Sequence, residues 1–337
     1  MVTIKDVAER AGVSVVTVSR AINHPEIVSE KRAQRIQKAI DDLGYTPNAA
    51  ARSLVIKSTK VIGVLLPDIN NIYLPSVVST LTDELEKRGY TIFLCTTGGT
   101  REKEARIIRI MQEKRVDGMI LLGTRPIEAE SHVLEQAARS IPVVILDYTT
   151  NCNMYCVRAD EAAGMELAVK HLVTLGHSKI ALINGEKNFT TNFYKQIGYE
   201  TALRNSGIGL RPEYIIASSP YYDGGIEGTE QLLNLPDPPT AIVTAGDQIA
   251  MGAYYAAQRR GYRIPQDISI VGFSGSPTSA YIYPPLTTVN QHGPESACQA
   301  ALLLVKIIEG REISDRNIII TPSLIVRESC APPRAQE

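Results

Sequence analysis

The stretch VSVVTVSRAIN, residues 13–23, decides how the N-terminal part of this chain folds. Ser14 belongs to the residue types that cap helix N-termini, so a short helix is predicted over 15–22. That helix begins with two β-branched apolar residues, Val15 and Val16, and continues with hydroxyl, amide and guanidinium groups. An apolar tip followed by hydrogen-bonding groups needs an explanation, which the neighbouring residues supply.

Two further helices are predicted on either side of this stretch. Thr3 and Asp6 have the capping-box spacing at the start of a first helix, and Gly12 supplies a turn because glycine accepts positive φ. A third helix follows Ser29 and ends near Gly44. Apolar residues at helical spacing predict one small shared core: Val7, Ala8, Val18, Ile22, Ile36, Ala39 and Leu43. A helix, a glycine turn and a capped second helix make a helix-turn-helix.

The second helix of such a motif enters the DNA major groove by its N-terminal end. Val15 and Val16 would then contact thymine methyl groups, and Arg20 would reach a guanine edge or a phosphate. Phosphate contacts that fix the register are expected from Thr17, Ser19 and Asn23. The alternative is that both valines belong to the core, since Val15 lies three residues before the core position Val18.

Charge separates the N-terminal part from the rest of the chain. Residues 1–60 carry ten Lys or Arg and six Asp or Glu, whereas the remainder carries 25 basic and 30 acidic residues. A basic segment on an acidic protein suggests that only this segment meets a polyanion, although chance alone could give so modest an excess. The charged N-terminus and the absence of a run of 18 apolar residues predict a cytoplasmic protein without a membrane span.

Cysteines and motifs argue against catalysis and metal binding. The five cysteines are scattered, and Cys152 and Cys156 have no second pair that would complete a metal site. His171 and His177 do not share a helix face, and no nucleophile elbow, zinc-protease or phosphate-loop motif is present. We therefore expect neither an enzyme nor a cofactor. A solute-binding protein is a second alternative, but it would need a signal peptide where this chain has a helix-turn-helix.

From Val61 onward, continuous apolar runs alternate with amphipathic stretches. Strands are predicted over 61–67, 91–97, 118–123, 142–148, 179–185, 240–246 and 268–274. Strands that are apolar on both faces indicate parallel sheets covered by helices, and so many strands exceed one sheet. The predicted domains are a helix-turn-helix domain over 1–46, a hinge helix and linker over 47–60, a two-lobed ligand-binding and dimerisation domain over 61–330, and a disordered tail over 331–337.

The N-terminal sequence TIKDVAERAGVSVVTVSRAIN, followed by VSEKRAQRIQKAIDDLGYTPNAAARSL, resembles the lactose/galactose repressor family. The resemblance continues through IGVLLPDINN, HLVTLGHSKIALI, DISIVGFS and PPLTTV and covers nearly the whole chain. It implies an all-α helix-turn-helix head and an α/β body, similar to periplasmic binding proteins, of two doubly wound parallel-sheet lobes. It also implies a homodimeric repressor that binds a palindromic double-stranded DNA operator and a small effector between the lobes.

The resemblance extends the set of expected DNA contacts. Val15, Val16 and Arg20 become the base readers, and the remaining candidates are Thr3, Ser14, Thr17, Ser19, Asn23, Tyr45, Asn48 and Ala51. Leu54 matches a wedge that inserts into the minor groove at the end of a hinge helix, where a leucine between base steps kinks the duplex. Ala50 and Ala51 would let two such helices approach each other closely. The alternative for Leu54 is an ordinary linker residue.

The effector residues implied by the resemblance depart from the usual sugar-binding pattern. Lys195 stands where sugar-binding members commonly have arginine, Gly246 and Asp247 replace an Asn-Asp pair, and Ser274 replaces an aspartate. The full set of expected effector contacts is Tyr73, Leu74, Asp147, Tyr148, Lys195, Tyr221, Gly246, Asp247 and Ser274. Because a lysine replaces arginine and an acid is lost, the hypothesis is an anionic effector, such as a sugar phosphate or sugar acid, or an unusually bound sugar. Two alternatives remain open: a pocket that binds nothing small, and control by a partner protein.

Overall fold

The structure is a computed structural model that describes residues 2–24, 27–46, 58–123, 132–149, 153–186 and 189–334. The chain divides into two compact units, Met1–Lys60 and Val61–Glu337, called here the N-terminal and C-terminal units. Most of the predicted hinge, including Asn48, Ala51 and Leu54, lies outside the described residues.

Three helices form the described part of the N-terminal unit: α1 (Ile4–Ala11), α2 (Val15–Asn23) and α3 (Glu30–Leu43). Local hydrogen bonds fix where they begin, because the Asp6 carboxylate accepts from the Thr3 backbone N–H at 2.7 Å. Their buried core consists of Val7, Ala8, Ala11, Val18, Ile36 and Ala39, with Ile22, Leu43 and Tyr45 among the side chains packed against it. The predicted core positions therefore come together around one centre.

The C-terminal unit contains twelve strands and eight α-helices among its described residues. Its strands are β1 (Val61–Leu66), β2 (Thr91–Thr96), β3 (Gly118–Leu122), β4 (Val143–Leu146), β5 (Tyr155–Ala159), β6 (Ile180–Asn184), β7 (Ile215–Ala217), β8 (Ala241–Thr244), β9 (Ser269–Ser274), β10 (Thr287–Asn290), β11 (Asn317–Ile320) and β12 (Ser323–Ile325). Its helices are α4 (Leu74–Glu86), α5 (Arg101–Glu113), α6 (His132–Ala138), α7 (Glu161–Thr174), α8 (Thr190–Asn205), α9 (Tyr222–Leu233), α10 (Asp247–Arg259) and α11 (Gly293–Ile308).

These elements build two lobes, each around a six-stranded sheet. The first lobe has the strand order β11-β5-β4-β3-β1-β2, and all its pairs are parallel. The second lobe has the order β12-β10-β9-β8-β6-β7. Each sheet is covered on both faces by helices that bury separate apolar clusters. Burial on both faces explains why the strands are continuous apolar runs.

Five strands, β5, β7, β10, β11 and β12, were not predicted from the sequence, and two further features also differ from the predictions. The edge strand β12 pairs antiparallel with β10, so the second sheet is mixed rather than wholly parallel. The tail was predicted to be disordered from 331, but its first residues bind the second lobe: the Ala331 carbonyl accepts from Ser269, and Arg334 forms an ion pair with Asp267. These residues are held by polar contacts that the composition of the tail does not reveal. Residues 335–337 lie outside the described residues.

The chain passes between the two sheets three times. It leaves the first lobe after β5, returns after β10, and crosses again between β11 and β12. The residues at the first two crossings, Glu161 and Gln291, lie side by side, with the Gln291 side-chain amide donating to Glu161 at 2.6 Å. The connections are therefore hydrogen-bonded to each other where the lobes join.

No helix among the described residues is long and apolar enough to cross a membrane. In the same part of the chain, no group of three or more His, Cys, Asp or Glu side chains is arranged to hold a metal ion.

Candidate functional site

The start of α2 presents an apolar tip to the surface. Val16 is 59% exposed and Val15 is 39% exposed, whereas Val18 is completely buried. Ser14 caps this helix by accepting from the Thr17 backbone N–H at 3.2 Å, and their two hydroxyls lie 2.8 Å apart. Neither valine at the tip belongs to the buried core, so the alternative that both are core residues is wrong.

The turn between α1 and α2 is fixed from α3. Gly12 has a φ of +62°, which favours glycine, and its N–H closes the end of α1. The Arg35 guanidinium donates to the Ala11 carbonyl at 2.5 Å. A Cβ atom at Gly12 would lie 2.8 Å from that guanidinium, so a larger residue would strain the backbone and would also displace the end of the Arg35 side chain.

The other predicted DNA contacts are distributed unevenly over the N-terminal unit. Arg20 is exposed on α2 and Ser19 is half-buried. Thr3 is exposed, but its hydroxyl donates to the Asp6 carboxylate at 2.8 Å. The Thr3 backbone N–H first, and then this hydroxyl, lower the pKa of Asp6. Tyr45 packs against the three-helix core. The side chain of Asn23 lies outside the described residues, as do Asn48, Ala51 and Leu54.

A cavity of about 230 Å³ lies between the two lobes of the C-terminal unit, and it is called the cleft below. It is large enough for a small molecule rather than for single waters. Eight of the nine predicted effector residues line it: Tyr73, Leu74, Asp147, Tyr148, Lys195, Tyr221, Gly246 and Ser274. They come from the carboxyl-terminal side of strands in both sheets, which is where ligands bind in doubly wound folds.

The ninth predicted residue, Asp247, does not line the cleft, and this is a correction. Its carboxylate accepts from the Ser276 backbone N–H at 2.6 Å and from the Thr288 hydroxyl at 2.5 Å. Burial raises the pKa of Asp247 to about 6 despite these bonds. The residue therefore holds the segment after β9 against α10 instead of facing a ligand.

Lys195 lines the cleft, but its charge is already balanced. Its ammonium lies 3.5 Å from a carboxylate oxygen of Glu161, donates to the Ala245 carbonyl at 3.0 Å, and sits 4.5 Å from the centre of the Phe273 ring. These partners could not be read from the sequence, and they count against the hypothesis that Lys195 binds an anionic group. An ammonium with a buried counter-ion attracts a second anion only weakly.

Glu161 and Gln291, which were not predicted from the sequence, are both buried and both line the cleft. Burial raises the pKa of Glu161, and the neighbouring Lys195 acts in the opposite direction. Each residue follows the carboxyl end of a strand, β5 and β10 respectively. Because neither strand was predicted, the rule that places ligand residues beyond strand ends could not find them.

An aromatic layer joins the lobes on one side of the cleft. The Tyr148 ring of the first lobe stacks on the Tyr194 ring of the second, with centroids 4.2 Å apart. The Arg158 guanidinium covers Tyr148 at 4.3 Å from the ring centroid. The Tyr148 hydroxyl accepts from the backbone N–H of Glu161 at 3.2 Å, so this layer also contacts the crossing between the lobes.

Two polar contacts join the lobes on another side of the cleft. The Tyr221 hydroxyl of the second lobe donates to the Asp68 carboxylate of the first in a short hydrogen bond. This bond is the largest influence that lowers the pKa of Asp68, while burial raises the pKa of Tyr221. The side-chain oxygen of Gln248 accepts from the Ile72 backbone N–H at 3.4 Å. Specific hydrogen bonds therefore join the two lobes beside the cleft.

The backbone around the cleft is held in defined conformations. Asn71 accepts from the backbone N–H groups of Tyr73 and Leu74 at 2.8 and 3.3 Å and so orders the start of α4. Ser274, at the end of β9, has a φ of +126°, which is rare for a residue with a side chain. Strained backbone of this kind concentrates at functional sites.

Both units match known protein families. Residues 3–48 match the model of bacterial regulatory proteins of the lacI family, and residues 59–328 match the model of periplasmic binding proteins and the sugar binding domain of the LacI family. The chain is 34% identical over 331 residues to the ribose operon repressor of Haemophilus influenzae and 34% identical over 332 residues to the transcriptional repressor PurR of Vibrio vulnificus. Each alignment covers 98% of both chains.

Solved structures give the same result over the whole chain. A Lac repressor dimer bound to operator and the anti-inducer ONPF has a TM-score of 0.90 at 28% identity, covering 98% of this chain and 99% of that one. The complex of the transcriptional regulator CelR with cellobiose has a TM-score of 0.74 at 27% identity, covering 98% and 100%. These proteins are regulators and not enzymes, in agreement with the sequence analysis. The chain belongs to the LacI family and is a DNA-binding transcriptional repressor with an effector-binding domain.

Proposed function

We propose that the protein represses transcription by binding a palindromic operator as a homodimer, under the control of a small neutral polar ligand in the cleft. The observation that carries the DNA-binding part is the tip of α2, where Val16 is exposed two residues before the fully buried Val18. Apolar side chains that remain exposed beside a rigid core are available to contact thymine methyl groups in the major groove.

An aromatic patch on the second lobe supports dimerisation. Tyr281 and Tyr283 are 87% and 85% exposed, and Tyr255 on α10 is 52% exposed. Tyr283 adjoins α10, because Gln258, one turn after Tyr255, donates to the Tyr283 carbonyl at 3.4 Å. Exposed apolar patches of this kind mark protein interaction surfaces. A two-fold dimer would present two helix-turn-helix motifs to a palindrome, as expected for this motif.

Charge and aromatic content support a neutral ligand with several hydroxyl groups. The cleft is lined by three carboxylates, Asp68, Asp147 and Glu161, and by two cations, Arg158 and Lys195. Lys195 is ion-paired, and the three carboxylates outnumber the two cations, so the lining carries a net negative charge that disfavours an anion. Tyrosine rings with carboxylates suit a sugar, which presents apolar faces and hydroxyl donors. The cellobiose bound by CelR has this chemistry.

Ligand control is proposed to act by population shift. A ligand that contacts both lobes stabilises one angle between them, and that angle would set the separation of the two DNA-binding motifs in the dimer. Coupling between such sites is typically about 1–3 kcal/mol, or roughly 5- to 150-fold in operator affinity.

Selection of binding sites from random duplex DNA tests the proposal directly. The full-length protein is expected to enrich a palindrome with a central C–G step, and its affinity for that palindrome should exceed its affinity for scrambled duplex at the same salt concentration. A protein that enriches no palindrome, with or without sugars present, contradicts the proposed function. Analytical ultracentrifugation tests the dimer separately.

A further inference from the structure

Glu161 occupies the point where the chain first crosses from one lobe to the other. It is the first residue of α7, directly after the N-cap residue Asp160, whose carboxylate accepts from the Ala163 N–H at 3.1 Å. The residue is only 3% exposed, yet it lines the cleft. A carboxylate that is buried from bulk water but borders a cavity is positioned to meet whatever occupies that cavity.

The two oxygens of this carboxylate have different environments. Oε1 accepts from the Gln291 side-chain amide at 2.6 Å. Oε2 makes no hydrogen bond with any described residue, and its nearest charged partner is the Lys195 ammonium at 3.5 Å. Buried polar atoms are normally hydrogen-bonded, and an unpaired one is costly, so Oε2 calls for a donor.

Lys195 meets this need only in part, because its ammonium is shared with other groups and stays 3.5 Å from Oε2. Its ammonium donates to the Ala245 carbonyl at 3.0 Å and lies over the Phe273 ring. It balances the charge of Glu161 from a distance that exceeds a short charge-assisted bond. The pair is therefore neutral as a whole, and Oε2, buried beside the cleft, keeps acceptor capacity that no short hydrogen bond fills.

We propose that Glu161 is a ligand-binding residue whose Oε2 accepts a hydrogen bond from a hydroxyl of a neutral carbohydrate, and that Lys195 serves as its counter-ion. This inference rests on the proposed ligand cleft and adds the residue that decides between neutral and anionic ligands.

Calorimetry on the full-length protein tests this role with three neutral sugars, D-ribose, D-galactose and cellobiose, and two anions, ribose 5-phosphate and gluconate. In Glu161→Gln, the amide oxygen must take the place of Oε1 and accept from Gln291. The NH₂ group then takes the place of Oε2, so a donor replaces an acceptor. We expect the affinity of this variant for the neutral sugar that wild type binds to be lower by about tenfold or more. The anions should bind more tightly than to wild type, because Lys195 has lost its counter-ion.

Two further variants separate recognition from folding. Glu166→Gln on the same helix removes a surface carboxylate that pairs with Lys170 at 3.1 Å, and it should leave all affinities unchanged. The double variant Glu161→Gln with Lys195→Met removes both buried charges, so it should fold even where the single variant does not. It should still bind the neutral sugar weakly and should show no gain for the anions.

The outcomes distinguish this inference from the proposed function. A wild-type protein that binds a neutral sugar while Glu161→Gln binds it equally well overturns the role of Glu161 and leaves the carbohydrate cleft in place. A double variant that recovers full affinity for the neutral sugar also overturns it. If wild type binds none of the sugars in the panel, both the carbohydrate cleft and the role of Glu161 are overturned.

Discussion

Replacement of Val16 by alanine isolates the contribution of the exposed tip of α2 to operator recognition. The change removes two methyl groups, each with about 0.8 kcal/mol of burial free energy when fully covered. Because 59% of the side chain is available to be covered by DNA, the loss is about 1 kcal/mol per half-site. A dimer on a palindrome loses this twice, or about 2 kcal/mol, which corresponds to a roughly 30-fold weaker operator complex.

Val18→Ala is the matched control, since the same change is made two residues away at a completely buried position. It should destabilise the N-terminal unit by about 2 kcal/mol through lost burial and an internal cavity. Amide hydrogen exchange in α1–α3 should therefore accelerate in Val18→Ala. In Val16→Ala it should remain as in wild type.

Fluorescence anisotropy provides the binding assay, with the selected palindrome and a scrambled duplex measured at one fixed salt concentration. Val16→Ala should weaken the palindrome complex and leave scrambled duplex unaffected, because apolar base contacts carry sequence information and phosphate contacts do not. A loss of less than threefold on the palindrome, or an equal loss on both duplexes, would refute the assignment of Val16 as a base reader.

Three other changes test the hinge, the core behind the cleft and the contact between lobes. Leu54→Ala should weaken binding to the palindrome far more than to scrambled duplex, since an inserted leucine stabilises a kinked site; equal losses in anisotropy would contradict a wedge. The pKa of Asp247 is raised to about 6 from its ordinary value of 3.8, so folding favours its protonated form. In urea unfolding, the free energy of unfolding of wild type minus that of Asp247→Asn should therefore be highest below pH 4 and should fall as the pH rises through 6. A difference that does not change with pH would rule this out. Tyr221→Phe should raise the pKa of Asp68 toward its ordinary value, because the tyrosine hydroxyl is the main group that lowers it. Carbon-13 NMR of the carboxylate measures this, and an unchanged pKa would mean that the two lobes do not make this bond in solution.

Local signals made most of the N-terminal unit predictable. The capping residues and turn glycines act within four residues of the helix ends they define, so the predicted bounds of α1 and α2 differ from the structure by one residue at most. Strands buried on both faces, such as β1 and β3, were predictable because every residue must be apolar. β5 and β10 were missed, since Tyr155–Ala159 and Thr287–Asn290 are short and contain polar residues.

The cleft was predictable only in part, because its contacts join distant segments. The resemblance located eight residues that line it, but it could not reveal that the Glu161 and Gln291 side chains bond across 130 residues of sequence. Nor could it reveal that Asp247 turns toward the N–H of Ser276, which depends on the path of the backbone after β9. Such pairings are decided by tertiary geometry, and a single sequence contains no local trace of them.

The three passages between the sheets have a consequence for synthesis on the ribosome. The first lobe receives its edge strand β11 and the second its edge strand β12 only from Asn317 onward, near the end of the chain. Neither lobe can complete its sheet until β11 and β12 have been translated, whereas the three helices at the N-terminus can pack as soon as they emerge. A stop codon that removes 317–337 would therefore take one strand from each lobe at once and leave the DNA-binding helices intact, without their controlling domain.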